Sequence, residues 1–171
     1  MKRILIIGCG GAGKSTFAKE LNKKTGINII HLDCHFWLPG WEMRERDEWD
    51  KMIDEFLDRE EWIMDGNYIR TMDKRIERAD TVIYFDFPRW RCLYNAFMRM
   101  MKGKLFGNKR TDITEGCDER FDFEFYKWIW NFNRDHRAET LKKLEQAKNS
   151  KHVHVIKNYR EKKKLLREIC M

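Results

Sequence analysis

The stretch Gly8-Cys9-Gly10-Gly11-Ala12-Gly13-Lys14-Ser15 matches the pattern G-x-x-x-x-G-K-[ST] at every fixed position. The apolar run Arg3 to Ile7 precedes it, and Phe17, Ala18 and Leu21 follow at helical spacing. A buried strand, a glycine-rich turn and a helix are expected in that order, with Gly26 placed to end the helix.

The residue types specify the ligand. Glycines let the backbone wrap closely, so that N–H groups of Gly8, Gly10, Gly11, Ala12, Gly13, Lys14, Ser15 and Thr16 line a cradle for phosphate oxygens. The following helix adds its positive end at the same place. Lys14 supplies a point charge between the terminal phosphates, and the Ser15 hydroxyl is the expected magnesium ligand. The expected occupant is a nucleoside triphosphate with Mg2+, ATP foremost.

Further apolar runs continue the pattern. Ile27 to Asp33, Trp62 to Asp65, Thr81 to Phe87 and His152 to Ile156 read as strands, the third of them stopped by Pro88. Residues from Asp47 (Trp49, Met52, Ile53, Phe56, Leu57) and from Arg89 to Met101 read as helices, and Leu165, Leu166 and Ile169 mark a last amphipathic one. Nearly all-apolar strands alternating with helices predict an α/β fold with a parallel sheet covered on both faces. Residues 102–120 depart from this pattern: they are polar and basic and carry Gly103, Gly107 and Gly116. They read as an insertion within one domain spanning 1–171.

Asp33 and Asp65 each end an expected strand, where an open parallel sheet presents its ligand crevice. One carboxylate is suited to taking a proton from an attacking hydroxyl, the role expected of Asp33. The other, Asp65, is suited to orienting magnesium. Arginines concentrate beyond the fourth strand: Arg89, Arg91, Arg99, Arg110, Arg120, Arg134 and Arg137. Arg99, Arg134 and Arg137 are the candidates to neutralise a phosphoryl group when a lid over 102–120 closes. The aromatics of Phe36-Trp37-Leu38-Pro39-Gly40-Trp41 either stack on an acceptor or plug the core.

Composition bounds the remaining classes. No apolar run is long enough to cross a bilayer, and Ile4 to Ile7 is too short for a signal peptide, so a cytoplasmic protein without a membrane partner is expected. The five cysteines contain no Cys-x-x-Cys pair and are expected to be free thiols. The net charge of +7 resides in residues 142–171, which hold ten Lys or Arg and three Asp or Glu. A basic end attracts nucleic acid, and a nucleotide-dependent DNA-binding regulator is the competing class. However, Lys162-Lys163-Lys164 lacks aromatic interleaving and reads as a solvated helix face.

With these residues in view, the sequence resembles the nucleoside- and shikimate-kinase group of P-loop phosphotransferases, adenylate kinase-like in type. More narrowly, it resembles the bacterial DNA topology modulation (FlaR-related) proteins through IIGCGGAGKST, HLDCHFWLPGW, WIMDGNY, ADTVIYFDFPRWRCL and the WIWNF stretch with Arg134 and Arg137 beyond it. The resemblance implies a five-stranded sheet in the order 2-3-1-4-5, a lid between the fourth and fifth strands, and phosphoryl transfer from ATP to a small-molecule or nucleotide acceptor. It also implies that Asp65-Gly66 corresponds to the Asp-Gly after the third strand of adenylate kinases. Those enzymes continue Phe-Pro-Arg, where this chain reads Asn67-Tyr68-Ile69-Arg70, so AMP does not carry over as the acceptor.

Overall fold

Every residue from Ile4 to Ile7 is fully buried, and alternate side chains enter opposite cores. Ile4 and Ile6 meet Phe17, Leu21, Ile83 and Phe132 on one face, whereas Leu5 and Ile7 meet Trp49, Trp62, Met64 and Tyr84 on the other. A strand apolar on both sides can only be central, and the computed structural model places it there. It describes residues 1–106, 111–117 and 120–169.

In chain order the elements are β1 (Arg3–Gly8), α1 (Lys14–Thr25), β2 (Ile29–His31), α2 (Leu32–Phe36), β3 (Trp37–Leu38), β4 (Glu42–Met43) and α3 (Arg46–Leu57). There follow β5 (Trp62–Asp65), a 3-10 turn (Ile69–Thr71), α4 (Met72–Arg78), β6 (Thr81–Phe85), α5 (Arg89–Phe106), α6 (Phe123–Ala147), β7 (His152–Ile156) and α7 (Tyr159–Glu168). The main sheet is parallel, in the order β2-β5-β1-β6-β7, which is the expected order of the five main strands. Helices cover both faces.

Three boundaries differ from the sequence reading. The second strand stops at His31, opposite Asp65, because the chain turns into the short helix α2; Asp33 therefore sits in the first turn of that helix and does not end a strand. Helix α5 continues through Gly103 to Phe106, so the first residues of the 102–120 insertion are helical. The segment after Phe36 folds back as the two-stranded antiparallel pair β3-β4, reversed through Gly40 and Trp41. Helix α6 is 25 residues long: Ile129 and Phe132 join one core, and Leu144 and Ala147 join the other. No helix among the described residues is long and apolar enough to cross a membrane.

Asp80 ties down the amino-terminal edge of the sheet. Its carboxylate accepts from the N–H groups of Lys2 (2.7 Å) and Arg3 (2.9 Å) and from the Thr81 hydroxyl (2.8 Å). Burial opposes its charge, but those donors and the amino-terminal charge outweigh burial and hold the carboxyl below its usual range. A depressed carboxyl contributes stability above its unfolded value and loses it as pH falls through its folded one. Asp80→Asn should therefore lower the melting temperature at neutral pH, and the gap to the parent should close below about pH 4. Thermal melts of both proteins from pH 7 to pH 3 check this; a gap independent of pH would mean that the charge contributes nothing.

Candidate functional site

The glycine turn lies where β1 leaves the sheet, and its glycines are required by close backbone contacts. Gly8 has φ +139, and a Cβ there would stand 2.6 Å from the carbonyl oxygen of Phe85 on β6. At Gly11 (φ +76) a Cβ would meet the carbonyl oxygen of Cys92, in the first turns of α5, at 2.2 Å. Helix α5 is further tied to the turn by Asn95, whose Nδ2 donates to the Gly11 carbonyl at 2.9 Å. The rings of Phe125 and Trp128, on α6, lie over Gly10. Gly13 caps the start of α1 with φ +88 and open space around it, Ala12 is buried, and Ser15 and Thr16 begin the helix beside Lys14.

Lys14 Nζ donates to the Cys9 carbonyl at 2.9 Å, so the ammonium is folded back over the turn. The Cys9 thiol, buried in the core, is pushed up by its hydrogen bond with Cys92 and then by burial. It stays a neutral thiol and puts no anion beside the cradle. Cys9, Cys34, Cys92 and Cys117 are free thiols, while Cys170 lies outside the described residues.

Beside the cradle, the carboxyl ends of β2 and β5 bring together a second set of groups. Tyr68 donates its hydroxyl to Asp33 Oδ1 at 2.7 Å. Burial first, then the Asp33 charge, pushes the Tyr68 phenol far up, so it remains a protonated donor. Tyr68 packs with Phe36 and Trp49 at ring separations of 4.6 and 4.9 Å, which fixes the direction of that hydroxyl. His31 Nδ1 lies 3.1 Å from Asp65 Oδ2, and Asp65 is 5% exposed. Neither pair was anticipated from the spacing of these residues.

Nor did it single out Arg75, which is fully buried on α4. Its guanidinium donates to the carbonyls of Gly66 (2.9 Å), Tyr68 and Thr71 (3.2 Å) and to the Thr71 hydroxyl (3.1 Å). Burial pulls it down to about 9, which leaves it charged at neutral pH. The loop that it grips also holds Asn67, whose Oδ1 accepts from the N–H of Gly8 at 3.2 Å.

The candidate arginines are scattered. Arg99 lies with its guanidinium 6.0 Å from the centre of the Phe125 ring, beside the helix that covers Gly10. Arg137 makes a two-pronged pair with Asp86 at 2.8 Å per contact, just beyond β6. Arg134 is exposed and pairs with its neighbour Asp135. Arg110 and Gly107 lie outside the described residues.

Residues 111–117 of the insertion are docked against α1, α2 and the β3-β4 turn. Lys19 Nζ donates to the Thr111 hydroxyl (2.7 Å), the Thr114 hydroxyl donates to the carbonyls of Cys34 and Trp37, and Gly40 N–H donates to the Gly116 carbonyl (3.1 Å). Ile113 and Cys117 are buried there, and Arg120 stands 5.6 Å from the Trp41 ring.

On the other side of Gly11, a groove of about 520 Å3 is lined by Pro88, Trp90, Arg91, Tyr94, Asn95 and Tyr159. At the far end of the chain, Lys162 is buried on α7 and pairs with Glu20 at 3.1 Å, so it is not part of a solvated face.

The groups around the cradle fit a magnesium ion. Asp65 Oδ1 is buried without a hydrogen-bond partner among the described residues, which leaves an oxygen acceptor for a metal-bound water. Ser15, half-buried in the first turn of α1, supplies a hydroxyl.

Comparison with known proteins agrees with this arrangement at the level of fold. The chain matches no protein-family model and no curated protein, so the narrower likeness to DNA topology modulation proteins rests on its sequence strings alone. Among solved structures, it is similar to a deoxyadenosine kinase from M. mycoides. The form with bound dATP gives a TM-score of 0.55 at 14% identity, covering 97% of each chain. The form with the products dCMP and a flexible dCDP gives 0.54 at the same identity and coverage. The chain has a P-loop kinase fold.

The packing of the glycines predicts unequal tolerance of a methyl group. Gly11→Ala must push α5 away from the turn, whereas Gly13→Ala meets no atom and costs only its left-handed backbone, roughly 1–2 kcal/mol. Gly11→Ala should therefore lower the melting temperature more than Gly13→Ala does. Equal losses, measured by calorimetry, would show that α5 does not press on the turn.

Proposed function

We propose that the chain is a phosphotransferase that moves the γ-phosphoryl group of ATP to a hydroxyl- or phosphate-bearing small molecule or nucleotide. The observation that carries the proposal is Asp33, in the first turn of α2 just beyond β2, held there by the Tyr68 hydroxyl in the loop that is bonded to the glycine turn at Gly8.

In this reading the N–H groups of the turn and the start of α1 hold the donor phosphates, and Lys14 swings from the Cys9 carbonyl onto them. Ser15 and Asp65 would hold Mg2+, which supplies charge neutralisation on the phosphate oxygens when bound. The donor base takes the groove of Trp90, Tyr94, Asn95 and Tyr159, because Asn95 ties that groove directly to the phosphate turn.

The acceptor enters between α2 and the β3-β4 turn, under residues 111–117. Its hydroxyl oxygen attacks the γ-phosphorus, the bond to the β–γ bridging oxygen breaks, and ADP leaves. Asp33 takes the hydroxyl proton; the Tyr68 hydroxyl keeps its own proton and keeps the carboxylate aimed. A lid formed by the insertion excludes water, which would otherwise compete as acceptor. Arg99 is a candidate to serve the transferred group, since the Phe125 ring that its guanidinium faces lies over Gly10. Arg137 would have to exchange Asp86 for phosphate, and Arg134 would have to leave Asp135.

The test is ADP production from Mg-ATP against a panel of nucleotides, sugars and metabolite alcohols. At least one acceptor should raise ADP release well above the acceptor-free rate. With that acceptor, Asp33→Asn should lower kcat by roughly 100- to 10,000-fold with little change in ATP affinity. Lys14→Ala should remove most ATP affinity or turnover while the protein stays folded. A folded Lys14→Ala protein that binds Mg-ATP as the parent does would sink the proposal.

A further inference from the structure

We infer that the side-chain amide of Asn67 is a ligand contact, donating a hydrogen bond to an oxygen of the γ-phosphoryl group, and that Arg75 is the residue that positions it. This rests on the phosphotransferase reading and names a group that the reading did not use.

Two polar atoms at the carboxyl end of β5 are buried without a hydrogen-bond partner among the described residues: the acceptor Asp65 Oδ1 and the donor Asn67 Nδ2. A buried N–H without a partner is costly, and a site retains one where a ligand satisfies it. The orientation of the amide is not arbitrary. Asn67 Oδ1 accepts from Gly8 N–H, so the flipped arrangement would set donor against donor. The NH2 group is therefore the free end.

Its neighbourhood identifies the ligand. Asn67 is bonded to Gly8, and Lys14 Nζ is bonded to the carbonyl of Cys9, the next residue. Lysine and amide thus flank a single peptide link of the phosphate turn. Lys14 serves the terminal phosphates, so an amide donor beside it meets an oxygen of the same anionic group. A neutral donor there adds a hydrogen bond without competing for the acceptor proton.

Arg75 fixes this amide from both sides in sequence. It donates to the carbonyls of Gly66 and Tyr68, the residues immediately before and after Asn67. Its hydrogen-bond partners among the described residues are carbonyl and hydroxyl oxygens, not a carboxylate, so the cation is bound to the loop itself. The clamped tripeptide Gly66–Tyr68 then carries the bond to Gly8, the amide for the γ-phosphoryl group and the tyrosine that aims Asp33.

Calorimetric titration with Mg-ADP and with Mg plus a non-hydrolysable ATP analogue tests this without any acceptor. Asn67→Asp keeps the oxygen that takes the Gly8 N–H and loses the donor; Asn67→Ala loses both. Both variants should bind the triphosphate analogue roughly 10- to 100-fold more weakly, the ratio for a hydrogen bond to a charged group, and Asn67→Asp should keep ADP affinity within about two-fold. Arg75→Lys, if folded by thermal melt, should show a smaller loss confined to the triphosphate, and that loss should vanish in the Asn67→Ala background. Asn67 variants that lose affinity for both ligands alike, or for neither, overturn the inference and leave the phosphotransferase reading standing. A parent protein that binds neither ligand overturns both.

Discussion

The burial of β1 on both faces is the constraint from which the rest of the structure follows. Its hydrogen-bonding edges are taken by β5 and β6, and both sets of alternate side chains are enclosed. Such a strand can reach solvent only at its end. The chain leaves at Gly8, where a Cβ would stand only 2.6 Å from the Phe85 carbonyl oxygen, and must turn at once. The phosphate turn is therefore not a loop laid on the surface. It is the exit of the most buried segment, held by β6, α5 and α6 together.

That constraint explains what could be read from the sequence. Apolar runs and the glycine pattern carry the strands themselves and the position of the turn, because both are local consequences of burial and close backbone approach; the strand order was implied by the family resemblance alone. The region beyond β2 and β5 was legible only in part. Ile27 to Asp33 looks like one continuous strand, yet pairing ends at His31, since the chain there gives its next apolar residue, Leu32, to a helix packed against Gly66. Arg75 sits among Asp73, Lys74, Glu77 and Arg78, where a fully buried guanidinium has no periodic signature. Its role depends on carbonyls that turn toward it only after the loop has formed. Likewise, nothing in the run Thr81 to Phe87 announces that Asp86 will take Arg137.

Charge tells a related story. The basic excess of the last thirty residues reads as a solvated helix face, with a surface for polyanions as the competing reading; Lys163 and Lys164 are exposed, but Lys162 is drawn inward to Glu20 and near the ring of Phe17. Arg75, Arg137 and Lys162 are all engaged by groups of the protein itself. Cation count is thus a poor guide to partners here; the informative quantity is which cations keep a polar group waiting near the cradle.

Helix α6 places its aromatic first turns over Gly10 and its last turns in the core on the opposite face of the sheet. Twenty-five residues of α-helix make a rod of roughly 37 Å, stiff on the scale of side-chain motion. A push at one end is delivered to the other as tilt, not absorbed on the way. One rod thus joins the covering of Gly10 to Leu144 and Ala147, which pack with residues of β6 and α4 in the opposite core. A substitution at that remote foot of the rod should accordingly disturb the packing over Gly10, in residues that no inspection of the glycine turn would choose.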